Sequence, residues 1–198
     1  MEAVRIVTGT AVPLDRSDVD TDQIIPAAWL KRVERTGFGV GLFSAWRDDR
    51  NFVLNDERFA GATILLAGTN FGTGSSREHA VWAIMDFGFK AVISPRFGDI
   101  FKNNSGKNGL ITAQLEPAVV QQLMAAVQAE PNLEITVDVE RLTVSVPALG
   151  LEVPFALDPV TQHRFLEGLD EIGITLRQID TITSFEARRH GFKPRVRV

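Results

Sequence analysis

The chain has 198 residues, of which 44% are hydrophobic and 23% are charged, as in globular proteins that bury a core. Its formal net charge of −4 gives no global positive field for nucleic acid, and no apolar run approaches the roughly 18 residues that span a membrane. The absence of cysteine excludes disulfides, a thiol nucleophile and thiolate ligands of its own for an iron–sulfur cluster. The three histidines lie far apart in sequence, so we expect no metal site from this chain alone. His79 lies four residues after Ser75, and we expect it to have a structural role. The N-terminal sequence lacks a basic region followed by an apolar core, so we expect no signal peptide and a cytoplasmic location.

The first half of the chain predicts strands on either side of one clear helix. The Val- and Thr-rich segment AVRIVTGTAVPL predicts a strand interrupted by Gly9 and Pro13, and Pro26 is expected to begin a short helix. Residues 62–68, ATILLAG, predict a buried strand, and the apolar spacing over residues 75–87 predicts a helix that ends at the following glycine. The next strand is KAVISP. A strand–loop–helix–strand unit of this kind predicts a parallel crossover.

The second half of the chain continues the alternation of strands and helices. RFGDIFKNNSGKNGL is predicted to be loop-like in its polar half, LITAQL to be a strand and EPAVVQQLMAAVQAEP to be a helix. LEITVDVERLTVSVP and LEVPFAL predict a β-meander. A helical segment follows from about residue 158, with Asp158 as its N-cap and Pro159 at its first position, and a solvated basic tail ends the chain at residues 188–198. The whole pattern predicts an α/β fold with a mixed sheet and flanking helices, in one domain over residues 1–198.

One segment, GTNFGTGSSREHA at residues 68–80, concentrates small and polar residues between two buried elements. Ser75 and Glu78 have the spacing of a capping box, which predicts that the helix starts at Ser75. Gly72 and Gly74 allow a tight turn before that start, and the first amides of a helix attract anions. Arg77 adds a planar cation that matches a carboxylate. Because this turn follows a predicted parallel strand, we favour an anion site over a mere capped helix.

Four other kinds of site fit the sequence poorly. The turn has neither the Gly-Lys-Ser/Thr of a phosphate-binding loop nor a third glycine for a dinucleotide fingerprint, and no Gly-x-Ser-x-Gly elbow of a hydrolase is present. Asp18, Asp20 and Asp22 have the spacing of a calcium loop. However, Gln23 and Trp29 stand where that loop needs glycine and glutamate, so we reject a calcium site.

Several motifs carry a family resemblance over nearly the whole chain. NFGTGSSREHA resembles the signature of the swivelling domain of the aconitase superfamily. DVDTDQIIPAAWLKRVERTGFGVGLF, RFGDIFKNNSGKNGL and DPVTQHRFLEGLDEIGITLRQIDTITSFEARR resemble, in the same order, the small-subunit family of 3-isopropylmalate dehydratase. The resemblance implies a swivelling β/β/α domain and a two-subunit hydro-lyase of leucine biosynthesis. Such an enzyme interconverts 2-isopropylmalate and 3-isopropylmalate, small dicarboxylates, through 2-isopropylmaleate.

The resemblance also implies a partner and roles for the residues of the turn. The partner is a large subunit that carries a [4Fe–4S] cluster. Ser75 would act as an alkoxide that accepts the proton, and Arg77 would stabilise it and bind a substrate carboxylate. Ser76 and Gly74 would bind the substrate, and Asp22 would face the same cleft, although a turn or cap role for Asp22 is equally compatible with the sequence.

The loop after the short helix is where substrate selectivity is expected. The resemblance implies that Leu30 and Val33 present apolar atoms to the isopropyl group, while Arg32 and Arg35 remain without an assigned role. Two alternatives stay open at this point. One is a related hydro-lyase that acts on homoaconitate, citraconate or a dimethylmalate, and the other is an anion-binding regulatory module without catalysis.

Overall fold

A computed structural model describes residues 1–31, 36–190 and 192. The strands of this part of the chain are β1 (Ile6–Gly9), β2 (Ala11–Leu14), β3 (Ile64–Ala67), β4 (Ala91–Ser94), β5 (Ile111–Gln114), β6 (Ile135–Asp138), β7 (Thr143–Val146) and β8 (Leu151–Pro154). The α-helices are α1 (Thr21–Ile24), α2 (Glu78–Phe87), α3 (Asp99–Asn108), α4 (Pro117–Ala129), α5 (Pro159–Glu167), α6 (Glu171–Leu176) and α7 (Ile179–Ala187). The predicted α/β class with flanking helices is confirmed.

The strands form two four-stranded sheets. The parallel sheet has the order β2-β3-β4-β5, and the antiparallel sheet has the order β1-β6-β7-β8. The sequence suggested one mixed sheet, whereas the two kinds of pairing occur in separate sheets. The reason is that the first predicted strand divides between Gly9 and Ala11, so that its halves enter different sheets. Pro13 is tolerated in β2 because that strand lies at the edge of the parallel sheet.

The parallel sheet forms the centre of the core. Every residue of β2, β3 and β4 is buried, as expected for parallel strands covered on both faces. The predicted crossover from β3 through α2 to β4 is confirmed, with Ile64 opposite Ala91 in parallel register. The predicted meander of β6, β7 and β8 is also confirmed, and alternate residues of β6 and β7 point to the core.

The polar segment that was predicted to be loop-like forms the helix α3, so that prediction is wrong. Its residues have poor helix propensity, but tertiary contacts compensate for this. Phe101 is buried, and Gly106 lies against Thr161 of α5, where a Cβ atom would come within 2.7 Å of the threonine methyl group. The Asn108 side chain donates to Glu78 Oε1 at 2.8 Å and thereby joins α3 to the start of α2.

The C-terminal segment is helical, and its start follows the sequence prediction. Asp158 caps α5 by accepting a hydrogen bond from the Thr161 amide, and Pro159 occupies the first turn. Glu171 at the start of α6 pairs with Lys107 of α3 at 3.2 Å. None of the helices in the described ranges combines the length and the hydrophobicity that crossing a bilayer requires.

Candidate active site

Three loops meet where β2, β3 and β4 end. The first loop (residues 15–20) and the second (residues 68–77) are joined by backbone hydrogen bonds, among them Gly72 N to Val19 O at 2.8 Å. The second and third loops (residues 95–98) are joined by Phe71 N to Arg96 O at 3.0 Å. A cleft of about 290 Å³ lies between the second and third loops. The sequence placed the candidate site at this carboxyl edge, where open α/β sheets bind ligands.

Two glycines shape the turn of the second loop in different ways. Gly72 and Gly74 have φ angles of 75° and 88°, a region that L-residues with a Cβ atom avoid. A Cβ atom on Gly72 would also lie 2.3 Å from the Phe101 ring, whereas the nearest atom to one on Gly74 is 3.4 Å away. Packing and backbone conformation together therefore require glycine at position 72, whereas at Gly74 the backbone conformation alone requires it.

This difference predicts unequal effects of two matched substitutions. Gly72→Ala should lower the free energy of unfolding by about 2–5 kcal/mol, because backbone strain and overpacking against a buried ring add together. Gly74→Ala should cost only about 1–2 kcal/mol, the strain alone. Urea unfolding of both variants measures the difference. Equal losses would mean that the Phe101 ring moves aside without cost.

The helix after the turn begins later than the sequence predicted. The capping box of Ser75 and Glu78 is absent, because α2 starts at Glu78 and its N-cap is Arg77 in an extended conformation, without a side-chain cap. The Ser75 carbonyl, which would accept the first intrahelical bond of a helix capped by Ser75, accepts a hydrogen bond from Thr21 Oγ1 at 2.9 Å instead. A capping box occurs instead in α1, where Asp20 and Gln23 cap each other.

Because α2 starts late, several backbone amides around its start lack an intrahelical partner within the described residues. Within the described residues, no protein acceptor is bonded to the amides of residues 76–79, and the first internal bond of this turn runs from Ala80 N to Arg77 O. Ser75 and Ser76 are both exposed. Unpaired amides at a helix N-terminus carry partial positive charge, so this segment is suited to bind an anion.

Arg77 and Asp22 form an ion pair across the site. The Asp22 carboxylate contacts Arg77 Nη1, which is buried and is not aligned for a regular hydrogen bond. The side chain of Arg77 is 17% exposed and that of Asp22 is 55% exposed. The cap role that the sequence left open for Asp22 belongs to Asp20 instead. The structure thus brings Asp22, Ser75, Ser76 and Arg77 together.

The remaining sequence-predicted residues lie elsewhere or outside the described residues. Leu30 is half-buried in the 3₁₀ helix Ala27–Lys31, which follows α1. Val33, like Arg32 and Arg35, lies outside the described residues. His79 packs between Phe38 and Trp82, with ring centroids 5.3 and 4.7 Å away, so its predicted structural role is confirmed.

Sequence reasoning missed one residue that touches the turn. Thr21 is 2% exposed, and its hydroxyl reaches a carbonyl 54 positions away in sequence. No local signal identifies such a bond. As for metals, among the described residues no group of three or more histidine, aspartate or glutamate side chains is arranged to hold an ion.

Comparisons with known proteins assign a family. The family model of the aconitase C-terminal domain matches residues 1–118, one described as LeuD_N matches residues 121–159, and that of the C-terminal domain of the 3-isopropylmalate dehydratase small subunit matches residues 171–196. The 3-isopropylmalate dehydratase small subunit of Frankia casuarinae is 59% identical over 98% of each chain. The matching protein of Rubrobacter xylanophilus, which has the same name, is 54% identical over 99% of this chain and 100% of its own.

A solved structure agrees with these matches. The crystal structure of 3-isopropylmalate dehydratase from Methanocaldococcus jannaschii has a TM-score of 0.66 and 25% identity, and the match covers 91% of this chain and 99% of that one. The family resemblance seen in the motifs is therefore confirmed over nearly the full length. This chain belongs to the small-subunit family of 3-isopropylmalate dehydratase, an aconitase-type family.

Proposed function

We propose that this chain is the small subunit of a two-subunit hydro-lyase that interconverts 2-isopropylmalate and 3-isopropylmalate in leucine biosynthesis. The observation that carries the proposal is the exposed Ser75–Ser76 pair, with free helix-start amides, beside the Asp22–Arg77 ion pair. The names of relatives with 59% and 54% identity support the substrate. A cytoplasmic location forms part of the proposal, as does a cleft that accepts a small dicarboxylate.

In this proposal Ser75 is the proton acceptor. A serine hydroxyl is a weak base in water, so its alkoxide must be stabilised by donors that are already in position. The helix-start amides of residues 77–79 and the guanidinium of Arg77 are such donors. The alkoxide removes a proton from the substrate carbon next to a carboxylate, and the hydroxyl leaves the neighbouring carbon as hydroxide, which gives 2-isopropylmaleate. The hydroxide takes up a proton from solvent to become water, and Ser75 returns its proton to solvent, which restores the alkoxide. Rehydration in the other orientation yields the isomer.

The same turn also binds the substrate. The amides of Gly74 and Ser76 and the unused donors of Arg77 would hold a carboxylate, and Asp22 would keep the guanidinium in place. An arginine fork suits this task because it offers two parallel donors to a carboxylate. Leu30 and Val33 would contact the isopropyl group of the substrate.

The iron–sulfur cluster belongs to the partner in this proposal. The chain has no cysteine, so its residues do not fit a [4Fe–4S] cluster, and the large subunit would supply the cysteine ligands. When bound there, the cluster supplies a Lewis acid for the departing hydroxyl. The tasks left to this chain are proton transfer and carboxylate binding.

Reconstitution tests the proposal. The purified chain should be inactive alone, and mixing it with a cluster-loaded large subunit should produce isopropylmalate turnover but no citrate turnover. Turnover by the rigorously purified chain without a partner would refute the two-subunit proposal. A preference for homoaconitate, citraconate or a dimethylmalate would identify a related hydro-lyase, and anion binding without turnover of any of them would indicate a regulatory module.

A further inference from the structure

Among the described residues, the buried hydroxyl of Thr21 has one hydrogen-bond acceptor, the backbone carbonyl of the candidate base, Ser75. Thr21 is 2% exposed, and its Oγ1 donates to the Ser75 carbonyl at 2.9 Å. Its backbone amide donates to Thr73 O at 3.0 Å. Within the described residues, the backbone hydrogen bonds between the first and second loops therefore end at Thr73. The side chain of Thr21 adds one more bond two residues further on, at Ser75.

The bond to the Ser75 carbonyl also determines the direction of an amide. The Ser75 carbonyl and the Ser76 amide belong to one peptide unit, which is planar and trans, so the carbonyl oxygen and the amide hydrogen point in opposite directions. Because the carbonyl points to the buried Thr21, the Ser76 amide points away from it, towards the exposed side of the turn. That amide has no acceptor within the described residues.

Consecutive residues of α1 hold the turn on both sides of Ser76. Thr21 bonds Ser75, and the next residue, Asp22, pairs with Arg77. Both contacts come from the capped first turn of α1. A short helix is thereby placed to fix the orientation of the one peptide unit between the proposed base and the proposed carboxylate-binding cation.

We infer that Thr21 is a positioning residue, whose hydroxyl orients the Ser75–Ser76 peptide so that the Ser76 amide donates to a substrate carboxylate. The inference rests on the proposed function for the identity of the anion. The orientation of the Ser75–Ser76 peptide by Thr21 does not depend on that function. Loss of the Thr21 hydroxyl should raise KM more than it lowers kcat. The reason is that it weakens the hydrogen bond from the Ser76 amide to the charged carboxylate of the substrate.

Kinetics of the reconstituted enzyme test the effect on substrate binding. Thr21→Val keeps the shape of the side chain and removes the hydroxyl, and it should raise KM for isopropylmalate about tenfold or more, with a smaller change in kcat. Thr21→Ser keeps the hydroxyl and should restore KM to near the wild-type value. Thr112→Val is the matched control, since Thr112 is also 2% exposed but lies in β5, two strands away from β3. An unchanged KM in Thr21→Val, or no rescue by Thr21→Ser, would overturn the inference.

Crystal structures of the variants test the orientation without any assay. The Ser75–Ser76 peptide should be rotated or displaced in Thr21→Val and retained in Thr21→Ser and Thr112→Val. The same peptide orientation in all of them would refute the positioning role, whatever the enzyme acts on. Inactivity of the wild-type reconstituted enzyme on isopropylmalate would instead refute the proposed function, and the structures would still decide the role of Thr21.

Discussion

Ser75→Ala should lower kcat of the reconstituted enzyme by about 10²–10⁴-fold, the contribution of a well-positioned base. The fold should be unaffected, because the Ser75 side chain does not cap α2 and lies exposed on the turn. We therefore expect a change in unfolding free energy within about 0.5 kcal/mol, as for ordinary surface substitutions. Steady-state kinetics and thermal unfolding of the same preparation measure both quantities.

Ser76→Ala is the matched control for this substitution. It removes a hydroxyl from the neighbouring exposed residue but keeps the backbone amide that the proposal uses. Its kcat should stay much closer to the wild-type value. Equal losses of kcat in the two variants would mean that the turn acts as a whole and that Ser75 has no special role in proton transfer.

Arg77→Lys should lower kcat/KM by about 10²-fold, although the charge is kept. Lysine offers a single ammonium instead of a planar fork, so it cannot contact Asp22 and hold a carboxylate in the same geometry. In other enzymes, removing one donor that stabilises a developing oxyanion lowers kcat by about 10²–10³-fold. The measurement is kcat/KM with isopropylmalate at saturating large subunit.

The control for Arg77→Lys is Arg141→Lys. Arg141 also pairs with a carboxylate, that of Glu152 at 3.2 Å, but it lies between β6 and β7 in the antiparallel sheet. Its replacement should leave kcat/KM nearly unchanged. A similar loss in both variants would mean that the exchange of arginine for lysine acts through the fold in general rather than through the geometry of Arg77.

The parts of the fold that local patterns determine could be predicted from the sequence. Buried residues recur at the spacing typical of a helix in α2 and at every second position in β6 and β7. In β3 they form a continuous run of isoleucine and leucine, as is typical of a strand buried on both faces. Asp158 and Pro159 predicted the start of α5 because capping is a local interaction. Likewise, the glycine–serine turn could be assigned to the carboxyl edge of a parallel strand.

The parts that depend on distant contacts could not be predicted. The division of one predicted strand into two sheets depends on β6 pairing with β1, far along the chain. The helix α3 forms despite its polar sequence because α2 and α5 pack against it. The bond that replaces the predicted cap at Ser75 comes from Thr21, which lies 54 residues away in sequence. Long-range bonds of this kind have no period and no local motif.

Exchange of solvent hydrogen into the substrate shows whether Ser75 accepts the proton. The reconstituted wild-type enzyme and its Ser75→Ala variant are incubated with isopropylmalate in D₂O, and deuterium at the substrate carbon next to the carboxylate is followed by NMR. The wild-type enzyme should incorporate deuterium at that carbon, whereas in the variant both exchange and turnover should fall together. Exchange by the variant at near the wild-type rate would mean that a group other than Ser75 is the base.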